Sequence, residues 1–298
     1  MHHDQESVLH IYDLAPPQQS EEGNATSTTS PVCSLGLPRA RTGHVQVAYL
    51  QSRTPTPPCD TSAAFMRDPM STAVVMQLTI GPDAEGATNA LLLLIPHRTL
   101  RAQIGRSFSE SCGTSDTQPE RVIREWNDWG PGATVMLNLP RKSQAAEHGG
   151  LFIPSEVWSQ AFGSRLALLI CDNPDMASGH VVTFDVDPWA AKCARRYRPT
   201  GCGGPGSALA FEEIHDPAPL YSSLDNVLNK LVMVPENVAS APTSVPHAVH
   251  VGPRVVFPTG QRPSRIITTH DGFVIAVRSS CLVSNTMLTT GIVNPARR

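Results

Sequence analysis

Residues 72–96 read TAVVMQLTIGPDAEGATNALLLLIP, and the fold class turns on this stretch. Two apolar runs, 72–80 and 88–96, flank GPDAEG at 81–86, whose glycines and Pro-Asp pair mark a hairpin turn. Immediately after it, HRTLRAQI (97–104) sets Leu100 and Ile104 four apart, which fits a short helix or turn beside the hairpin.

The same pattern extends in both directions. VLHIYDL (8–14) and GHVQVAYLQ (43–51) alternate apolar and polar residues, as half-buried strands do. Downstream, residues 122–129 and 133–139 read as strands split by the breaker Gly130-Pro131-Gly132. RLALLIC (165–171) and HVVTFDV (180–186) form a further pair, connected by a turn at 172–179. Residues 254–257, 264–269 and 272–278 make a last set, with His270-Asp271-Gly272 as a hairpin turn. Only residues 224–234, with Leu224, Val227, Leu228 and Leu231 at helical spacing, suggest a second helix.

The chain has 298 residues, of which 27 are proline and 21 glycine. Proline lacks an N–H and fixes φ, so a chain punctuated this often suits short strands and many turns. Loop-like segments are expected at 15–31, 52–62, 105–120, 199–207 and 235–248. No strand–helix–strand alternation appears, which counts against a doubly wound sheet. The expectation is one β-rich domain spanning 1–298, built as a propeller-like (WD-repeat-like) assembly of short antiparallel strands with long Pro/Gly-rich loops.

Charge and cysteine usage narrow the partners. A net charge of −3 argues against a general polyanion binder. Lysine occurs only at Lys142, Lys192 and Lys230, so arginine, the residue suited to carboxylate and phosphate forks, supplies nearly all positive charge. Seven scattered cysteines contain no C-x-x-C pair, and MHHDQESVLHIYDL lacks the features of a secretory signal. The longest apolar run, 90–95, is too short to span a membrane. These features imply a reduced, intracellular chain, cytoplasmic or nuclear, with no membrane partner.

Four segments follow one another in the central region: LLIPHRTLRAQI (93–104), REWNDWGP (124–131), GSRL (163–166) and VVTFDVDP (181–188). Together they resemble the C-terminal β-rich region of fungal F-box proteins, where a Trp-Gly-Pro element precedes a Gly-x-Arg strand and a strand ending in Asp-Phe-Asn-Pro. Here the last of these reads Phe184-Asp185-Val186-Asp187-Pro188, a departure from that pattern. The resemblance touches residues 8–280, with SLGLP (34–38) and DGFVIAV (271–277) at its ends. It implies a substrate-recognition region that binds a protein and joins a ubiquitin ligase through an F-box. The F-box is expected upstream of the β region, and nothing before Val8 is long enough to encode one, so a ligase adaptor is a partner only if an F-box exists. On that reading Trp126, Asp128, Trp129 and Arg165 are the candidate binding residues.

Each motif has a structural reading beside the functional one. Trp126 and Asp128 would share one strand face, with Trp129 opposite or in the turn; the indoles either cover core or anchor a partner groove. Asp185 and Asp187 would share a strand face, and with Asp128 they support the alternative of an all-β hydrolase using carboxylates as acid and base. KCARRYR (192–198) is the basic cluster, read as a solvated element end rather than a nucleic-acid contact. His247 and His250 share a face only on a helix, which Pro246 and Gly252-Pro253 oppose, so no metal is expected. There is no G-x-S-x-G elbow, and the glycine stretch 201–206 lacks the phosphate-loop pattern. A non-enzymatic protein-binding module without cofactor, its partner unidentified, is the expected function.

Overall fold

A computed structural model describes residues 7–12, 31–41, 45–52, 72–81, 89–111, 123–139, 150–154, 157–196, 208–210, 227–229, 231–232, 238–240, 245–269 and 272–279. The two strands of the decisive hairpin are there, whereas its turn, but for Gly81, lies outside the described residues. β5 (Ala73–Ile80) and β6 (Asn89–Pro96) pair antiparallel from Ala73↔Pro96 to Ile80↔Asn89. With β4 (Val45–Ser52) and β8 (Val135–Leu139) they form sheet II, antiparallel throughout, in the order β4-β5-β6-β8.

Successive side chains on a strand point to opposite faces, and in β6 both faces are buried. Leu92 and Leu94 enter one apolar cluster, whereas Leu91, Leu93 and Ile95 enter another. An unbroken apolar run is therefore what this position requires. On one side of sheet II lies sheet I, made of β1 (Val8–Ile11), β2 (Cys33–Gly36) and β7 (Ile123–Arg124), which contributes Cys33 and Leu35 to the shared cluster. On the other side lies sheet III, ordered β10-β11-β14-β12, built from β10 (Arg165–Cys171), β11 (Ser178–Asp185), β12 (Ala208–Ala210) and β14 (Ala248–Val256). Val182, Phe184 and Val249 meet Val75, Leu94 and Leu137 there, and the helical residues Val227, Leu228 and Leu231 close the same cluster.

Sheet IV covers the far face of sheet III. It consists of β9 (Trp158–Gln160), β15 (Gln261–Thr268) and β16 (Phe273–Ser279), in the order β16-β15-β9. Ala167, Leu169 and Val181 pack there against Ile266, Ile275 and Val277. The Ala167 N–H of β10 donates to Thr268 Oγ1 at 3.0 Å, joining the two sheets by a buried hydrogen bond. A two-stranded pair, β3 (Arg39–Ala40) with β13 (Val238–Ala239), lies beside the cluster between sheets I and II. The arrangement is mainly β, with four sheets stacked over three apolar layers. Among the described residues it forms no closed barrel or propeller ring.

Several expectations require correction. The loop expected at 105–120 begins as helix, because α1 (His97–Ser111) continues to Ser111. Ser107 and Ser109 return their hydroxyls to the carbonyls of Gln103 and Gly105, so the serines follow the helix instead of breaking it. Residues 122–129 are not one strand: β7 holds two residues and α2 (Trp126–Trp129) is a helical turn. The loop expected at 235–248 contains β13 and the start of β14, and the loop at 52–62 begins on the last residue of β4. Proline within β14 is tolerated at an irregularity, where pairing shifts between His180↔Arg254 and Val182↔Val251 and leaves Gly252-Pro253 out of register. Residues 15–30, 53–62, 112–120, 199–207, 235–237 and 241–244 of the expected loops, and 270–271 of the expected last turn, lie outside the described residues.

Two described cysteines, Cys33 and Cys171, are buried in different layers. No described helix is long and apolar enough to cross a membrane.

Candidate functional site

The Trp-Asn-Asp-Trp-Gly-Pro element is a clasp. As a helical turn it directs Trp126 and Trp129 inward, at 3% and 2% exposure, with rings edge to face at 5.1 Å. Each indole N–H has a partner: Trp126 Nε1 donates to Ser240 Oγ at 2.6 Å and Trp129 Nε1 to the Gly36 carbonyl at 2.9 Å. Gly130 is required because the Trp126 ring lies against its Cα, where a Cβ would overlap ring atoms Cε3, Cδ2 and Cζ3. The Gly130 carbonyl then accepts from the Ala133 and Thr134 N–H groups and from the Thr134 hydroxyl. Two surface ion pairs flank the clasp, Arg39–Glu125 at 2.9 Å and Arg124–Glu110 at 2.7 Å. The two indoles are thus core, with no exposed face to anchor a partner. Asp128 is exposed beside them.

Arg165 and Asp185 are cross-strand partners at the end of the β10–β11 hairpin. Arg165 Nε donates to Asp185 Oδ2 at 2.9 Å, and Asp185 Oδ1 accepts from the Asp187 N–H at 3.0 Å. β11 ends at Asp185, so Asp187 shares no strand face with it. Instead Asp187 caps α3 (Pro188–Arg196): its Oδ1 accepts from the Trp189 N–H at 2.8 Å, and Pro188 takes the first helical position, where no N–H is needed. Asp187→Ala is expected to lower stability by about 1 kcal/mol, and Asp187→Asn to restore it, as read from thermal unfolding midpoints. Asp128 belongs to the clasp between sheets I and II, whereas Asp185 and Asp187 lie at the end of β11 in sheet III, so the three carboxylates are carried by different layers.

The histidine at 247 is buried on Phe184, with ring centroids 6.3 Å apart and Nδ1 3.0 Å from the Val245 carbonyl. Its neighbour in the sequence pattern, His250, lies on strand β14, so the pair shares no helix face. Among the described residues no group of three or more side chains able to hold a metal is gathered. The basic run 192–198 begins as helix, through Arg196, and Lys192 Nζ sits 5.2 Å from the exposed Trp189 ring.

One surface went unseen in the sequence. Register places Trp158, Arg265 and Ala276 in one cross-strand line of sheet IV, and Gln160, Ile267 and Val274 in the next. Pro263, Ile266, Ile275 and Val277 point into the layer against sheet III or are buried beside it, so these other residues face outward. Trp158 is 60% exposed there. Arg265, the cross-strand neighbour of Trp158, donates from Nη2 to Gln160 Oε1 at 2.6 Å, which holds its guanidinium in place on this face. A large aromatic beside a positioned arginine, on a sheet face that no described element covers, can supply contact area and directed hydrogen bonds to a partner.

No protein family, curated protein or solved structure matches the chain.

Proposed function

We propose that the chain is a non-enzymatic protein-binding module whose stacked sheets act as blades of a propeller-like scaffold. The observation that carries this reading is the exposed Trp158 beside Arg265 on the outward face of sheet IV. Tryptophan and arginine are the side chains most enriched at interface hot spots. The carboxylates of the hydrolase alternative argue the same way: Asp185 and Asp187 are occupied by structural hydrogen bonds, and Asp128 is on another layer. The likeness to F-box proteins adds a ubiquitin-ligase adaptor as partner where an F-box is encoded together with this region. Recognition then rests on sheet IV and not on Trp126 or Trp129.

The test is quantitative cross-linking of the tagged full chain in its native host, with Trp158→Ala and Trp189→Ala compared with wild type. A defined protein captured by wild type and by Trp189→Ala, and reduced about tenfold or more by Trp158→Ala, is the expected result. Capture indifferent to Trp158, or no captured protein, overturns the reading. Recovery of a ligase adaptor decides the F-box link separately.

A further inference from the structure

We propose that the outward face of sheet IV docks an extended, acidic protein segment; this rests on the protein-binding reading above and names the chemistry of its partner. The three strands of sheet IV hold Arg262, Arg265 and Arg278 and no Asp or Glu. In the other sheets every described strand arginine has a carboxylate: Arg39 with Glu125 at 2.9 Å, Arg124 with Glu110 at 2.7 Å, Arg165 with Asp185 at 2.9 Å and Arg254 with Asp172 at 2.8 Å. Among the described residues no carboxylate pairs with the three arginines of sheet IV.

The register makes this costly in the free protein. Arg262 and Arg278 are directly opposite one another on β15 and β16, and both are exposed. Like charges facing across a strand pair destabilise it, so the arrangement suits a chain that supplies negative charge from outside. Arg265 lies on the same face one cross-strand line away, about 7 Å along the strands. An extended peptide repeats its side chains on one face at that same spacing, so alternate carboxylates match successive arginine positions.

The rest of the face favours protein over nucleic acid. Ile267, Val274 and Ala276 are half-buried and form an aliphatic floor beside Trp158. Single-stranded nucleic acid is held by successive aromatic platforms in a positive groove, but the outward face of these strands has one aromatic and the whole chain carries a net charge of −3. An acidic segment with apolar residues among its carboxylates uses both the arginines and the floor.

The probe is a blocked, labelled nine-residue peptide with Glu at its first, third and fifth positions, Val at its seventh and ninth and Ser between them, which puts carboxylates and apolar groups on one face; it is titrated into the full chain by fluorescence anisotropy at low and high salt. Saturable binding that weakens with salt is expected, with affinity lost about tenfold or more in Arg262→Ser/Arg278→Ser and in Arg265→Ser. The peptide with Lys in place of Glu should not bind. Arg278→Glu should lose binding while its unfolding midpoint stays level or rises, because an opposed pair replaces a repulsive one; this separates lost recognition from lost fold. Equal binding of the Glu and Lys peptides, wild-type affinity in the arginine variants, or tighter arginine-dependent binding of a thymidine oligonucleotide overturns the proposal. Trp158-dependent capture of a cellular protein that survives the arginine substitutions removes the acidic chemistry alone and leaves the binding reading intact.

Discussion

Gly130→Ala is expected to destabilise the protein by about 2–4 kcal/mol, although the backbone there would welcome alanine. Gly130 has φ −69° and ψ −58°, ordinary right-handed helical values. At such a position replacing glycine by alanine ordinarily stabilises by about 0.4–1 kcal/mol, by restricting the unfolded chain. The sign reverses here because the new methyl group would overlap the Trp126 ring. That ring cannot yield easily: it is packed edge to face on Trp129 and held through Nε1 by Ser240. Trp126→Ala alone should cost about 3–5 kcal/mol as a large buried aromatic. The double variant supplies the decisive number. With the ring gone, the methyl group introduced by Gly130→Ala has open space, so the pair should cost no more than Trp126→Ala alone, a coupling as large as the Gly130→Ala effect itself. Urea unfolding followed by far-ultraviolet circular dichroism measures all three. Additive costs, or a neutral Gly130→Ala, would show that the ring is not seated on the glycine.

The same element marks where sequence reading stops. The strands of sheets II and III were legible because their pattern is local: LLLLI at 91–95 and LALLIC at 166–171 are buried on both faces, and no other environment suits them so well. REWNDWGP departs from its local pattern: the segment expected as a strand is a helical turn over Trp126–Trp129. The pull toward a helical turn comes from Gly130 donating to the Trp126 carbonyl, and the direction of the indoles is set by Gly36 and Ser240, which are remote in sequence. Trp158 and the sheet IV arginines were passed over for the complementary reason. Nothing near WSQ at 158–160 is periodic, and its significance arises only when β9 pairs parallel with β15 and brings Trp158 beside Arg265. Arg262 and Arg278 likewise become neighbours only through the hairpin register. Core is written in runs of adjacent residues, whereas a binding face assembled from three strands is written in pairings.

Asp185→Ala is expected to cost about 2–3 kcal/mol and to leave partner capture unchanged in the folded fraction. Removing one member of a fully buried ion pair costs about 3–5 kcal/mol, because the other charge is stranded. Asp185 is 2% exposed, but the Arg165 side chain is 35% exposed and can turn its guanidinium to water, which lowers the figure. Part of the cost belongs to neither charge: the Asp187 N–H loses its acceptor at Asp185 Oδ1, worth about 1 kcal/mol. Replacing both partners, as Arg165→Met with Asp185→Leu, should therefore recover most of the loss but not that last part, since apolar pairs often substitute for buried ion pairs without penalty. This double variant also tests Arg165 as a binding residue. A structural pair predicts that the double variant, once folded, captures the same protein as wild type, whereas a partner-contacting Arg165 predicts loss of capture that no gain in stability repairs. Retained stability in Asp185→Ala would mean that the hairpin end is held by backbone pairing and that the bridge to Arg165 adds nothing to it.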